Sequence, residues 1–152
     1  MGATTKTLYE TDFAAWADEM AAALRAGRLQ ELDLENLAEE VEGLAKADRR
    51  TVRSQLQSMM IHLFKRRIQP ERHSRSWDSS ILNARYEITD EVEDSPSLRN
   101  HLAQNLEKLY QRAVAEALAE TGMEEAPRPK QVPIRCPWTL EELLDGDLGS
   151  LK

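Results

Sequence analysis

The segment from residue 65 to residue 77 contains the residue types that bind anions. Arginine can hold a phosphate group through two parallel hydrogen bonds, and an indole ring can stack on a nucleobase. Both types occur here beside a single acidic side chain, Glu71. The segment therefore predicts binding of phosphate or nucleic acid, with five candidate contacts: Lys65, Arg67, Arg72, Arg75 and Trp77.

The distribution of charge favours a different interpretation. Residues 31–42 carry six acidic and no basic side chains, whereas residues 46–75 carry nine basic and two acidic ones. The later segment therefore has a charge of +7, and the rest of the chain must carry −14 to give the net charge of −7. A helix with acidic residues first and basic residues later matches its own dipole. We favour ion pairing within the chain, or with a second copy lying antiparallel, over a nucleic-acid site.

A third hypothesis is an enzyme whose site lies between helices and combines Glu39, Glu42 and His62 with Arg67. Glu39 and Glu42 share one side of a helix because a spacing of three residues is close to one turn. His62 lies between apolar residues, so we expect a half-buried ring. If the helix is straight, Glu42 and His62 are about 30 Å apart. The cluster therefore requires that the helix break and fold back.

The histidines do not match common metal-binding patterns. The residues three positions before His62, His73 and His101 are not carboxylates, so the Glu-x-x-His pattern of di-iron bundles is absent from the sequence. The His-Glu-x-x-His pattern of zinc proteases is also absent. Three acidic side chains within 35–42 could hold a divalent cation, but a solvated face or pairing with arginine is the favoured interpretation. We predict no metal and no cofactor.

Cys136 is the only cysteine, so the chain cannot form an internal disulfide. A reactive thiolate needs a positive environment, and Arg135 precedes it, but a buried structural thiol is the better interpretation. A lone cysteine is typical of a reducing compartment. No run of about 18 apolar residues exists that could span a membrane. These features predict a cytoplasmic protein without a membrane segment.

The spacing of apolar residues predicts an all-α fold, a four-helix-type bundle with a long second helix and a short C-terminal helix. We expect a single helical domain over 1–152, with a structured core over 10–148. The first helix is predicted over 12–26 and ends at Gly27, a common helix stop. The second runs from Asp33 for roughly 35 residues, because no proline interrupts it before Pro70.

The later helices are marked by local start and stop signals. A third helix is predicted over 76–93. A fourth starts at Ser95–Pro96, with serine as cap and proline in the first turn, and ends near Thr121. Residues 123–137 contain four prolines and are predicted to form an extended crossing segment. A terminal helix over 139–145 is predicted from the capping box of Thr139 and Glu142.

Five ordered motifs give the chain a resemblance to a known family. They are LYETDFAAW, LRAGRLQELDLENLAEEVEGL, MMIHLFKRRIQPERHSRSW, EDSPSLR and CPWTLEELLD. Together they resemble the bacterial domain of unknown function 29, common in cyanobacteria and proteobacteria, over about residues 8–148. The resemblance implies an all-helical bundle with a long second helix and supplies no activity. Arg66 and Arg67 stand where the family pattern leads us to expect a more apolar or aromatic pair.

The sequence therefore leaves the biochemical function open between three hypotheses. The first is a structural or protein-interaction module, with an unknown protein or a second copy of the chain as its partner. The second is a nucleic-acid or phosphate binder that uses the basic segment 65–77. The third is an enzyme with a polar site between helices.

Overall fold

The computed structural model describes residues 7–123 and 132–151, and these residues form an all-α structure. Six α-helices occur in this part of the chain, together with short 3-10 helices at Leu29–Glu31 and Pro70–Arg72 and no β-strand. The predicted all-α class is confirmed. In chain order the helices are α1 (Leu8–Thr11), α2 (Phe13–Ala26), α3 (Leu34–Ile68), α4 (Arg75–Asp94), α5 (Ser97–Glu120) and α6 (Leu140–Asp145).

The chain divides into two compact units, of which the first ends at Lys46 and the second begins at Ala47. The single domain expected over 1–152 stays a prediction. Helix α3 is one continuous helix of 35 residues, as predicted, and it belongs to both units. Within the extended segment predicted at 123–137, residues 124–131 lie outside the described part of the chain, and residues 132–137 are non-helical.

Helix α2 ends at Ala26 as predicted and begins at Phe13, one residue later than predicted, because Asp12 is its cap. The Asp12 carboxylate accepts a hydrogen bond from the Ala15 backbone N–H at 3.1 Å, which satisfies a free donor at the helix start. Gly27 ends the helix with a φ of 70°, a conformation that residues with a Cβ rarely adopt. Trp16 and Met20 are buried, one turn apart on the same face.

The second unit is built around an apolar core supplied by α3, α4, α5 and α6. Phe64 lies at its centre, where its ring is 5.1 Å from the rings of both Tyr110 and Trp138. Apolar side chains spaced by one helical turn surround these rings, because each helix turns one face inward. The most deeply buried members include Val52, Leu56, Met59, Met60, Leu63, Ile81, Ile88, Leu102, Leu109 and Leu143.

The junction between α4 and α5 differs by one or two residues from the prediction. Ser74 caps α4, accepting a hydrogen bond from the Trp77 N–H at 3.4 Å, so the helix begins at Arg75 rather than at 76. Pro96, rather than Ser95, occupies the cap position of α5. The physical reason is that Ser95 ends α4: its N–H donates to the Glu91 carbonyl at 2.8 Å, and its ψ of 82° is no longer helical.

Helix α6 starts with the predicted capping box. The Glu142 N–H donates to the Thr139 hydroxyl at 3.1 Å, and the Thr139 N–H donates to the Glu142 carboxylate at 2.8 Å. The residues at the positions of a hydrophobic staple, Trp138 and Leu143, both lie in the core. These local contacts hold a helix of only six residues against the bundle.

Candidate functional sites

An exposed apolar face on the first part of α3 is the first candidate site. Its side chains are those of Leu34, Val41 and Leu44, which are 68%, 63% and 70% exposed; we call these three residues the α3 stripe. Spacings of seven and three residues place them on one side of the helix. Large apolar side chains that share an exposed face are typical of protein-contact surfaces, so the α3 stripe is a candidate interface.

The other side of α3 is already used within the first unit. The Tyr9 hydroxyl donates to the Glu40 carboxylate at 2.6 Å, and the Asp33 N–H approaches the Met20 sulfur at 3.3 Å. The Asn36 side chain donates to the Asp33 carboxylate at 2.7 Å, and this hydrogen bond holds the pKa of Asp33 below its usual value. The helix is therefore anchored along one side, which leaves the α3 stripe as the open side.

An acidic segment is followed by a basic segment along the part of the chain that carries this stripe. Residues 31–42 carry six acidic side chains, and residues 46–53 carry four basic and one acidic. Every side chain from residue 41 to residue 51 is exposed. Arg49 and Arg50 form no ion pair with any residue that the structure describes. The basic part of the helix therefore has charge available for a partner.

The predicted polar cluster requires a break in α3 that is not observed. Glu39 and Glu42 lie in the first unit and are exposed, and Glu42 pairs with Lys46 at 3.6 Å on the next turn. His62 lies in the second unit on the same helix. Helix α3 is continuous from Leu34 to Ile68, and the polar cluster stays a prediction.

His62 instead lines a small polar groove within the second unit. The groove has a volume of about 270 Å³, and its charged members are Lys65, Glu116 and Glu120. Lys65 forms an ion pair with Glu120. Burial, followed by the charge of Lys65, lowers the pKa of His62, so the ring is neutral at pH 7. Within the described residues no group of three histidine, cysteine or acidic side chains could hold a metal.

The predicted anion contacts differ in their surroundings. The charge of Lys65 is engaged by Glu120. Arg72 and Arg75 are exposed, and Trp77 is half-buried with its ring 6.5 Å from that of His73. Because the nucleic-acid hypothesis depends on several phosphate contacts acting together, it stays a prediction that rests mainly on these two arginines.

An apolar cleft in the second unit brings Arg67 together with the end of the chain. The cleft has a volume of about 780 Å³. Its polar members are Arg66, Arg67, His73 and Asp78, and its apolar walls come from Leu63, Pro70, Ile81, Leu82, Leu148 and Leu151. Sequence reasoning did not identify this site. The one available signal was a pair of leucines, three residues apart, after the last predicted helix.

Arg66 holds the end of the chain against this cleft. Its Nη2 donates to the carbonyl oxygens of Leu148 and Leu151, each at 2.7 Å. Its Nη1 lies 3.4 Å from the Asp78 carboxylate, which also accepts a hydrogen bond from His73 at 2.8 Å. These two contacts lower the pKa of Asp78, with the hydrogen bond from His73 as the larger cause. Arg66, Asp78, His73 and the backbone at Leu148 and Leu151 together fix one wall of the cleft.

Cys136 is a shielded thiol rather than a reactive one. Its Sγ–H donates to the Trp138 carbonyl at 3.3 Å, and burial raises the pKa of the thiol to about 11. We expect iodoacetamide at pH 8.5 to alkylate it about 100-fold more slowly than an ordinary cysteine, because only the thiolate reacts. Mass spectrometry of timed samples measures this rate. The urea-unfolded chain is the control, and equal rates in the folded and unfolded chains would contradict the prediction.

Comparisons with known proteins identify the family. The model of the family described as Domain of unknown function DUF29 matches residues 8–148, so the chain belongs to this family. Neither the curated proteins nor the solved structures gave a match to the chain. Within the described residues no helix is both long enough and apolar enough to cross a membrane.

Proposed function

We propose that this member of the DUF29 family is a protein-interaction module that pairs with a second copy of itself. In this proposal Val41 and Leu44, at one end of the α3 stripe, pack against the same two residues of the other copy, with the two helices antiparallel. The observation that supports it most directly is the exposure of Leu34, Val41 and Leu44, each above 60%, on one face of an otherwise anchored helix.

The apolar side chains give the pairing a driving force. Burying a leucine or valine side chain stabilises an interface by about 1.5–3 kcal/mol. Val41 and Leu44 of two copies supply four such side chains, and their burial is comparable with the 4–15 kcal/mol or so that association costs.

The charge pattern selects the antiparallel orientation. A two-fold axis across the helix near Leu44 would bring residues 31–42 of each copy beside residues 46–53 of the other. The first segment has a charge of −6 and the second +3. A parallel pair would align like charges along the whole contact. Opposite charges facing each other favour one register and one partner, and an isologous contact of this kind closes as a dimer.

The test is the mass of the chain in solution before and after the α3 stripe is made acidic. The single chain has a mass of 17.3 kDa. We expect light scattering at micromolar concentration to give twice that mass for the wild type and the single-chain mass for the double variant Val41→Glu with Leu44→Glu. Burying unpaired carboxylates costs several kcal/mol. The dissociation constant of the dimer should therefore rise by about 100-fold or more.

Two controls make the result specific. Ile134→Glu places the same charge at a side chain that is 78% exposed and outside the α3 stripe, and it should leave the mass unchanged. Circular dichroism should show the same helical content in all variants. A wild-type chain that stays monomeric at 100 μM or so would overturn self-association and leave a different protein as the partner.

The orientation is tested separately by reversing charge. The double variant Arg49→Glu with Arg50→Glu should weaken the dimer about tenfold, and raising the salt concentration should weaken the wild-type dimer in the same direction. Mixing this variant with the double variant Glu35→Lys and Glu39→Lys should restore pairing between the two. If the mixture pairs no better than either variant alone, the antiparallel orientation is wrong.

A further inference from the structure

We infer that the cleft between α3, α4 and the end of the chain binds a small amphipathic anion, a carboxylate attached to an unbranched aliphatic tail. The site lies wholly in the second unit and includes no residue of the α3 stripe. The inference therefore does not depend on self-association.

The walls of the cleft define the tail of the ligand. A volume of about 780 Å³ is within the range of natural small-molecule sites. Leu63 and Ile81 form the deep part, each only 1% exposed, while Leu82 lies at the surface with 38% exposure. Side chains of this kind offer no hydrogen bonds to a sugar or a base, so an aliphatic tail is the matching occupant and a nucleotide is not.

Arg67 defines the head group. Its Nη1 is buried and has no hydrogen-bond partner among the described residues. Arg67 also forms no ion pair with the described residues, whereas the neighbouring Arg66 is engaged by Asp78 and two carbonyl oxygens. A buried guanidinium nitrogen without an acceptor is costly, and a carboxylate would supply the missing acceptor and the opposite charge.

The remaining polar groups at the cleft leave its net charge positive. The carboxylate of Asp78 is the one acidic group in the lining, and it is engaged by both His73 and Arg66. Arg67 is therefore the positive charge in the lining that no acidic lining group neutralises. It also lines a smaller cavity of about 270 Å³ beside Trp138 and Glu142, but the Glu142 carboxylate there is occupied by the Thr139 N–H.

Isothermal titration calorimetry with three probes tests head and tail separately. Decanoate below its micellar concentration is the expected ligand, with one site per chain. Decanol has the same tail without charge and should bind about tenfold more weakly. Acetate has the head without the tail and should show no measurable binding. Equal affinity for decanoate and decanol would overturn the role of Arg67, and no binding of decanoate would overturn the site.

Variants distinguish this cleft from other places on the chain. Arg67→Gln should weaken decanoate binding about tenfold and leave decanol binding unchanged. Since Arg67 is half-buried, a second variant at the rim, Leu82→Glu, repels the same anion without disturbing the core and should weaken decanoate at least as much. Arg72→Gln, at an exposed arginine outside the lining, is the matched control and should bind decanoate like the wild type.

The oligomeric state separates a ligand site from an interface. If Leu82→Glu changed the mass seen by light scattering, the cleft would be a contact between copies, and the ligand proposal would be overturned. If decanoate bound equally to the wild type and to Val41→Glu with Leu44→Glu, the cleft would be shown to act independently of the α3 stripe. Loss of decanoate binding in that double variant would contradict this independence.

Discussion

Replacing Phe64 by alanine is expected to lower the free energy of unfolding by about 3–5 kcal/mol. The ring is 1% exposed and forms close contacts with two other aromatic rings, those of Tyr110 and Trp138. These three residues come from α3, α5 and the segment before α6, so the cavity would open where three parts of the second unit meet. Urea unfolding followed by circular dichroism measures the change.

The other phenylalanine of the chain provides the control. Phe13 is 50% exposed, and its ring makes an edge contact with Tyr9 and a tilted contact with Trp16. Removing the Phe13 ring leaves no closed cavity. Phe13→Ala should therefore lower the free energy of unfolding by about 1 kcal/mol, the size of its aromatic contacts. Equal losses for the two variants would mean that Phe64 is not at the centre of a packed core.

Replacing Arg85 by methionine is expected to lower the free energy of unfolding by about 2–3 kcal/mol. Arg85 reaches from α4 to the end of α6, where the last carbonyl oxygens of a helix have no partner of their own. Its guanidinium donates to the carbonyls of Leu143 at 2.8 Å, Gly146 at 2.7 Å and Glu142 at 3.2 Å. Methionine keeps the apolar stem but removes all three donors.

Arg99→Met is the matched control for this prediction. Arg99 also reaches α6, but through an exposed ion pair with Asp145 at 2.8 Å. Exposed ion pairs contribute about 0–1 kcal/mol to stability, so Arg99→Met should lower the free energy of unfolding by no more than that. Hydrogen exchange by mass spectrometry provides a local readout: residues 140–146 should exchange faster in Arg85→Met than in Arg99→Met. Similar exchange in the two variants would contradict the capping role of Arg85.

The apolar residues of the two proposals lie in different units of the chain. The α3 stripe lies before residue 46 and supports contact with another copy, whereas the cleft lies after it and supports binding of a small anion. Each has a variant that leaves the other site untouched. The two functions can therefore be lost separately, which is the outcome that distinguishes two sites from one.

Most helix boundaries could be predicted because the signals that set them are local. Asp12, Gly27 and Thr139 act on backbone groups within a few residues, so their effect does not require knowledge of the fold. The 35-residue α3 follows from uninterrupted apolar spacing without proline. Ser95 shows the limit of local signals, because the end of α4 uses its backbone and shifts the start of α5 by one position.

The amino-acid order of this chain thus specified its helices, their caps and the change from acidic to basic residues along α3. It did not specify which charges would be neutralised or which apolar faces would stay open. Arg66 and Leu148 are 82 residues apart along the chain, and Arg85 and Leu143 are 58 apart, yet both pairs are in hydrogen-bond contact. Such contacts depend on how helices pack in three dimensions, and packing created the cleft and left Nη1 of Arg67 without a hydrogen-bond partner among the described residues.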